Sequence, residues 1–277
     1  MRSLAVLALI ALAGLPFQAR AGTLTLFSSS LSTTCAVTTD PFPPVSTGGV
    51  GSTTCSATNS GGTGSASQTD SSLAVTLHAA DTGPSGATLP GVALGAYLDQ
   101  QYTVSGLTDP TATVYVPWHF TSTLSSSVSY IGENFQVTKL IGAANVFPTI
   151  SLGDYTTSAS SSFATLAPCV ASAIRNVSVC NVAPWNGSPN ESFSDDLSGV
   201  LAITVQNGDL IQFSAHFDAG GSAYALAGGS ASAAADALGT LTFSAPSFTD
   251  PATVPEPASL ALLLPAVGAM AAARRRR

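Results

Sequence analysis

The sequence predicts a mainly β body, an antiparallel two-sheet sandwich of jelly-roll-like kind. Three observations carry this. Short alternating runs of apolar and polar residues recur between turn residues along the chain. No stretch before Ala258 carries a convincing helical period with caps. Asn207-Gly208, set between two such alternating runs, is the strongest short-range hairpin signal in the chain.

The first 21 residues read as a secretory signal peptide. Arg2 precedes an apolar run from Leu4 to Phe17, and Ala19-Arg20-Ala21 places small residues where a signal peptidase reads. Cleavage is expected after Ala21, and the 14-residue run is too short to span a bilayer comfortably.

The body follows over 22–253. Leu24 to Phe27 alternates weakly. Asp40-Pro41-Phe42-Pro43-Pro44 and the Gly/Ser/Thr tract beyond it hold few large apolar residues, so 44–72 is expected as a long loop. The near-copies Ser32–Thr39 (STTCAVTT) and Ser52–Asn59 (STTCSATN) suggest two short antiparallel pieces joined by a bridge. Leu73–His78 alternates with Leu, Val and Leu on one face, and Thr111–Phe120 puts Val114, Val116 and Trp118 on one side. Further strand-like runs are Val128–Ile131, Phe135–Leu140, Val200–Val205, Leu210–Phe217 and Leu241–Ser244. Ala223–Leu238 is alanine-rich, and reads equally as a helix or as small residues in a tight strand.

Four cysteines lie in the body: Cys35, Cys55, Cys169 and Cys180. An even count in an exported chain reads as two disulfides, with three possible connectivities. The local pairs Cys35–Cys55 and Cys169–Cys180 are preferred. No C-x-x-C spacing favours a metal.

Charge narrows the function classes. Charged residues are 8% of the chain, and Ser plus Thr supply about a quarter of it. The whole chain has a net charge of -7; without its two ends it loses six arginines and Glu256, giving -7 - 6 + 1 = -12. Lys139 and Arg175 are then the remaining basic residues. Such a body has no means of displacing the counterions of a nucleic acid, nor of docking electrostatically on anionic lipid.

No catalytic motif emerges. There is no G-x-S-x-G, P-loop, G-x-G-x-x-G or H-E-x-x-H. His78, His119 and His216 sit in separate strand-like runs without metal-ligand spacing. Glu191, Asp195 and Asp196 share a turn-like run, 190–199, which leaves a calcium ion as the one cofactor open to consideration, without the ligand pattern of an EF-hand. Trp118, Trp185 and six tyrosines suit either a core or a sugar-stacking platform. Fourteen scattered body acids leave a glycoside hydrolase as a minor alternative.

The last 24 residues have three parts. Val254-Pro255-Glu256-Pro257 precedes a 16-residue apolar run, 258–273, and then Arg274, Arg275, Arg276 and Arg277. The run is about 24 Å long as a helix, short of the ~30 Å hydrocarbon core, but flanking arginines can snorkel to complete a span. Four terminal arginines hold this end in the cytoplasm as a stop-transfer tail. Segment 254–277 resembles the PEP-CTERM sorting signal of Gram-negative bacteria. That resemblance implies Pro255, Glu256 and Pro257 as the motif recognised by an exosortase, which cuts nearby after export through the inner membrane. It also implies a role in exopolysaccharide or biofilm matrix, with the body at the outer surface or extracellular. The expected function is therefore a non-enzymatic matrix protein without cofactor, handled by signal peptidase and exosortase. A carbohydrate-binding module is the alternative.

Overall fold

A computed structural model describes residues 22–38, 45–82, 91–131, 137–165, 170–174, 190–227 and 230–251. The strands are Thr23–Thr38 (β1), Val45–Val50 (β2), Thr54–Asn59 (β3), Gly62–Thr69 (β4), Ser72–Thr82 (β5), Gly91–Ser105 (β6) and Ala112–Ile131 (β7). They continue with Val137–Asp154 (β8), Ser160–Ala164 (β9), Val170–Ile174 (β10), Asn190–Val205 (β11), Leu210–Ala227 (β12) and Ser230–Phe243 (β13). All pairings are antiparallel and form two sheets. The first has the order β10-β8-β12-β6-β1-β2, with β9 also pairing β8; the second has the order β11-β7-β13-β5-β4-β3. The two orders match across the gap, so β12 lies over β13 and β5, and β1 lies over β3 and β4.

Period-two alternation explains the core. Leu73, Val75, Leu77 and Ala79 of β5 are buried, as are Val114, Val116, Trp118 and Phe120 of β7 and Ile211, Phe213, Ala215 and Phe217 of β12. Aromatic pairs link the sheets: Phe120 meets Phe217 edge-on at 5.7 Å, and Phe213 meets Phe243 at 5.1 Å. Large residues face glycines across the gap. A Cβ on Gly239 would stand 2.3 Å from the Phe217 ring, and one on Gly221 would stand 2.3 Å from a Leu77 methyl. At Gly142 even the backbones approach, because a Cβ there would stand 2.2 Å from the Ala234 carbonyl oxygen.

Several expectations change. The Ser/Thr/Gly tract at 44–72 is not a loop but contains β2, β3 and β4. Its small residues alternate cleanly in β4, where Gly62, Gly64, Ala66 and Gln68 point inward. A strand held by neighbours on both sides needs no large side chains of its own. The near-copies around Cys35 and Cys55 do not pair with each other. They lie in β1 and β3, in opposite sheets, and the disulfide between them bridges the gap at one edge with Cα atoms 5.8 Å apart. The Cys169–Cys180 pair lies outside the described residues, as do Trp185, 1–21 with Ala21, and 252–277.

Asn207-Gly208 makes a tight turn but not a hairpin. The strands it joins, β11 and β12, belong to different sheets. Gly208 takes φ +92°, and its N–H donates to the Val104 carbonyl at 2.9 Å. The Asn207 side chain accepts the Leu107 N–H at 2.8 Å and donates to the Leu107 carbonyl at 3.0 Å. The turn is thus clamped to the β6–β7 connection rather than closing a ladder. Ala223–Leu238 resolves in favour of strand: Ala223, Ala225, Ala231, Ala233, Ala235 and Ala237 alternate as buried residues of β12 and β13. The 190–199 run is also strand, the first part of β11.

Both ends of the body emerge at one end of the sandwich. Thr23 pairs with Ser105, and Ser247 pairs with Tyr115, on either side of the β6–β7 turn. The strand ends Thr38, Thr82, Ile131 and Ile174 lie at the opposite end.

Near the termini, Asp154 is 3% exposed and Asp209 is 4% exposed. The strongest influence on Asp154 is burial, which raises its pKa. Opposing hydrogen bonds outweigh it: the Thr157 hydroxyl, the N–H groups of Thr156 and Thr157, and the Asp209 carboxyl hold Asp154 below the usual carboxylate range. The Thr156 N–H lies 2.8 Å from Oδ1. A depressed folded-state pKa gives stability that is present above the unfolded value and lost as pH falls through the folded one. Acid scans should therefore show the fold weakening below about pH 4, with Asp154→Asn flattening that dependence. Replacing Cys35 and Cys55 by alanine should cost roughly 3 kcal/mol, the loop-closure value for a bridge of this span. Thermal unfolding would read this as a midpoint lower by roughly 6–12 °C.

Candidate functional site

The three histidines do not converge. His78 and His119 point outward from the second sheet, but six register positions apart along it (His78 opposite Asp236, His119 opposite Thr242); His216 points outward from the first sheet, so the sandwich core separates it from the other two. Each meets an aspartate on a neighbouring strand. His78 Nδ1 lies 2.7 Å from Asp236 Oδ1, His119 Nε2 lies 2.6 Å from Asp196 Oδ1, and His216 Nε2 lies 3.3 Å from Asp99 Oδ1. These are half-exposed pairs, which hold a ring in place but add little stability.

On the first sheet, Tyr97 packs edge-on against His216 at 5.4 Å and donates its hydroxyl to Asp218. Burial, followed by the Asp218 hydrogen bond and charge, pushes the Tyr97 phenol up to about 12. Tyr97 is thus neutral and fixed, and it leans over Gly95, where a Cβ would stand 2.2 Å from its hydroxyl oxygen.

On the second sheet, the register lines up polar side chains in rows across the strands. One row runs His78, Asp236, Ser125, Ser192; the next runs Thr76, Leu238, Thr123, Ser194; the third runs Ala74, Thr240, Thr121, Asp196. Strands lie ~4.8 Å apart and alternate residues ~6.7 Å apart, so this is a flat lattice of hydroxyls. A shallow hollow of about 500 Å³ lies on it, lined by Thr76, Thr123, Ser125, Ser194, Asp236 and Leu238. A second hollow of about 280 Å³ shares Thr123, Ser194 and Leu238 and reaches Asp196. Leu238 is 52% exposed between them. The Ser125 hydroxyl donates to Asp236 Oδ2 at 3.3 Å, not to His78. Ser125, Asp236 and His78 therefore lack the nucleophile-to-base contact of a hydrolytic triad.

The other sequence candidates fare differently. Asp195 and Asp196 are consecutive in β11, so they point to opposite faces and do not form a joint cation cradle. Among the described residues, no group of three or more His, Cys, Asp or Glu is placed to hold a metal ion. Trp118 is buried, stacked on Phe163 at 4.0 Å, and offers no sugar platform. The hydroxyl lattice was missed in the sequence because serine and threonine are spread over the whole chain. Only the register between β5, β13, β7 and β11 assembles them.

No curated protein matches the chain. Among solved structures, a mutant VP2 protein of infectious bursal disease virus aligns over 84% of this chain and 66% of that one, with 9% identity and a TM-score of 0.15. The chain thus spans under two thirds of that protein's length. VP2 of the Gx strain of the same virus aligns over 80% of this chain and 67% of that one, with 8% identity and a TM-score of 0.13. Likeness at this level carries no argument. Residues 253–277 match the PEP-CTERM protein-sorting motif, which contains Pro255, Glu256, Pro257 and the arginine tail. The motif implies export across the inner membrane, a C-terminal membrane anchor before processing, and exosortase as the processing partner. The chain thus carries the PEP-CTERM protein-sorting motif at residues 253–277, which marks an exosortase-targeted exported protein.

Proposed function

We propose that the body serves as a non-enzymatic component of an exopolysaccharide matrix, tethered in transit and then released to the outer surface or medium. Signal peptidase acts after Ala21, and the apolar segment 258–273 anchors the chain until exosortase cuts near Pro255-Glu256-Pro257. The single observation that carries the reading is the sorting motif over 253–277. The fold suits it: both ends of the body leave the same end of the sandwich. The last backbone pairing, at Ser247, is eight residues before Pro255, a reach of at most about 29 Å. The processing enzyme therefore works within that reach of the body.

Catalysis has little support in the described body. Its three histidines stand apart and are each engaged by an aspartate, and the Ser125 hydroxyl donates to Asp236 rather than to His78. A second reading, carbohydrate binding, is favoured by the hydroxyl-lined hollows on the second sheet.

Deleting Arg274–Arg277, or replacing Glu256, is expected to leave the body membrane-bound. Mass spectrometry of the secreted form is expected to find no peptide beyond about residue 257; an intact C-terminus in the medium contradicts the tail reading. Single alanine changes at His78, His119 and His216 should alter matrix phenotype no further than lost stability explains. Hydrolysis of matrix polysaccharide by the purified protein, abolished by one carboxylate change that leaves unfolding unchanged, overturns the non-enzymatic reading.

A further inference from the structure

The outward face of the second sheet is specific about ligand chemistry. Its two adjoining hollows offer Thr76, Thr121, Thr123, Ser125 and Ser194, with Leu238 exposed at the centre. A carboxylate stands at either side: Asp236, 51% exposed, and Asp196, 79% exposed. Among the described residues Lys139 is the one Lys or Arg, and it belongs to β8 of the other sheet. Among the described residues no Lys or Arg shares the face of these two acids, whose side-chain partners are His78 and His119.

Three chain-like ligands can be compared on magnitudes. A polyanion meets two carboxylates and a body of net charge -12, with no described Lys or Arg on that face to attract it. A neutral glycan exchanges water hydrogen bonds for hydroxyl ones, worth only about 0.5–1.5 kcal/mol each. Among the described residues it also finds no aromatic platform, since Phe193, the aromatic in the lining of these hollows, packs inward against the core. A chain bearing ammonium groups gains charge-assisted bonds, about twice as strong as neutral ones. Each carboxylate accepts about four hydrogen bonds, so the contacts from His78, Ser125 and His119 leave capacity for more.

We propose that this groove binds a polysaccharide carrying free amino groups, with Asp196 and Asp236 taking the ammonium groups, the threonine and serine rows taking ring hydroxyls, and Leu238 lying under a ring face. The proposal rests on the matrix reading above and gives it a ligand class. Its test needs no matrix and no processing, so each can fail without the other.

The probe is a glucosamine hexasaccharide, compared with its fully N-acetylated counterpart. Binding to the full chain, purified in detergent, is measured by calorimetry at low salt and at a pH where the amines are charged. The amino form should bind and the acetylated form should bind at least tenfold more weakly. Asp196→Asn with Asp236→Asn should weaken binding of the amino form by about tenfold or more, the equivalent of losing one charge-assisted contact. The control Asp70→Asn with Asp109→Asn removes the same charge from turns away from the groove, and should weaken it less than threefold. Unfolding temperatures of both double variants identify any loss due to misfolding. Equal binding of both sugars, no binding of the amino form, or equal losses in the two double variants each overturn the proposal.

Discussion

The narrow gap between the two sheets is the constraint on which the rest of the structure depends. Close approach requires that a large side chain on one sheet meet a very small one on the other. Phe217 faces Gly239, Leu77 faces Gly221, and Leu94 and Val92 face Gly64. At Gly142 the opposing atom is a backbone carbonyl, that of Ala234, and no side chain of any size fits between. Glycine inside a strand weakens it locally, so its presence here marks a place where space outweighs strand propensity. The disulfide at Cys35 and Cys55 applies the same closeness at the β1–β3 edge, with Cα atoms 5.8 Å apart where stacked sheets usually stand ~10 Å apart.

This inner arrangement shapes the outer surface. The core is built from alanine, glycine and a limited set of large residues, and positive charge is nearly absent from the body. Outward positions fall to serine and threonine, and the ladder register gathers them into rows. With so few cations, histidine takes over the partnering of aspartate across strands, at His78, His119 and His216. A surface made this way is polar, flat and net acidic. Such a surface suits a hydroxyl-rich, positively charged chain better than a nucleic acid or an anionic membrane. The connectivity places both ends of the body at one end of the sandwich, which frees both outer faces while the chain is tethered.

Much of the fold was legible, for identifiable reasons. Val114, Val116 and Trp118 share a face in the sequence pattern and are buried together. Leu73 to His78 and Leu210 to Phe217 alternate as strands do, and the sorting tail is legible because its three parts are contiguous. Pairing was not legible. Asn207-Gly208 reads as a hairpin locally, yet β6 and β7 compete for the flanking strands and place them in different sheets. The 44–72 tract reads as loop because it lacks large residues; it becomes strand because β5 and β1 supply ladders on which small residues suffice. The hydroxyl lattice depends on four strands far apart in sequence, so no local window contains it.

The close approach is tested most directly by one methyl group. Gly142→Ala puts a Cβ 2.2 Å from the Ala234 carbonyl, while Gly153→Ala on the same strand meets nothing nearer than 3.9 Å. Thermal unfolding should show Gly142→Ala destabilised by about 1–3 kcal/mol, as overpacking against backbone requires, with a midpoint lower by roughly 2–12 °C and Gly153→Ala near the parent. A Gly142→Ala protein as stable as the parent would contradict the account of how the two sheets are held together.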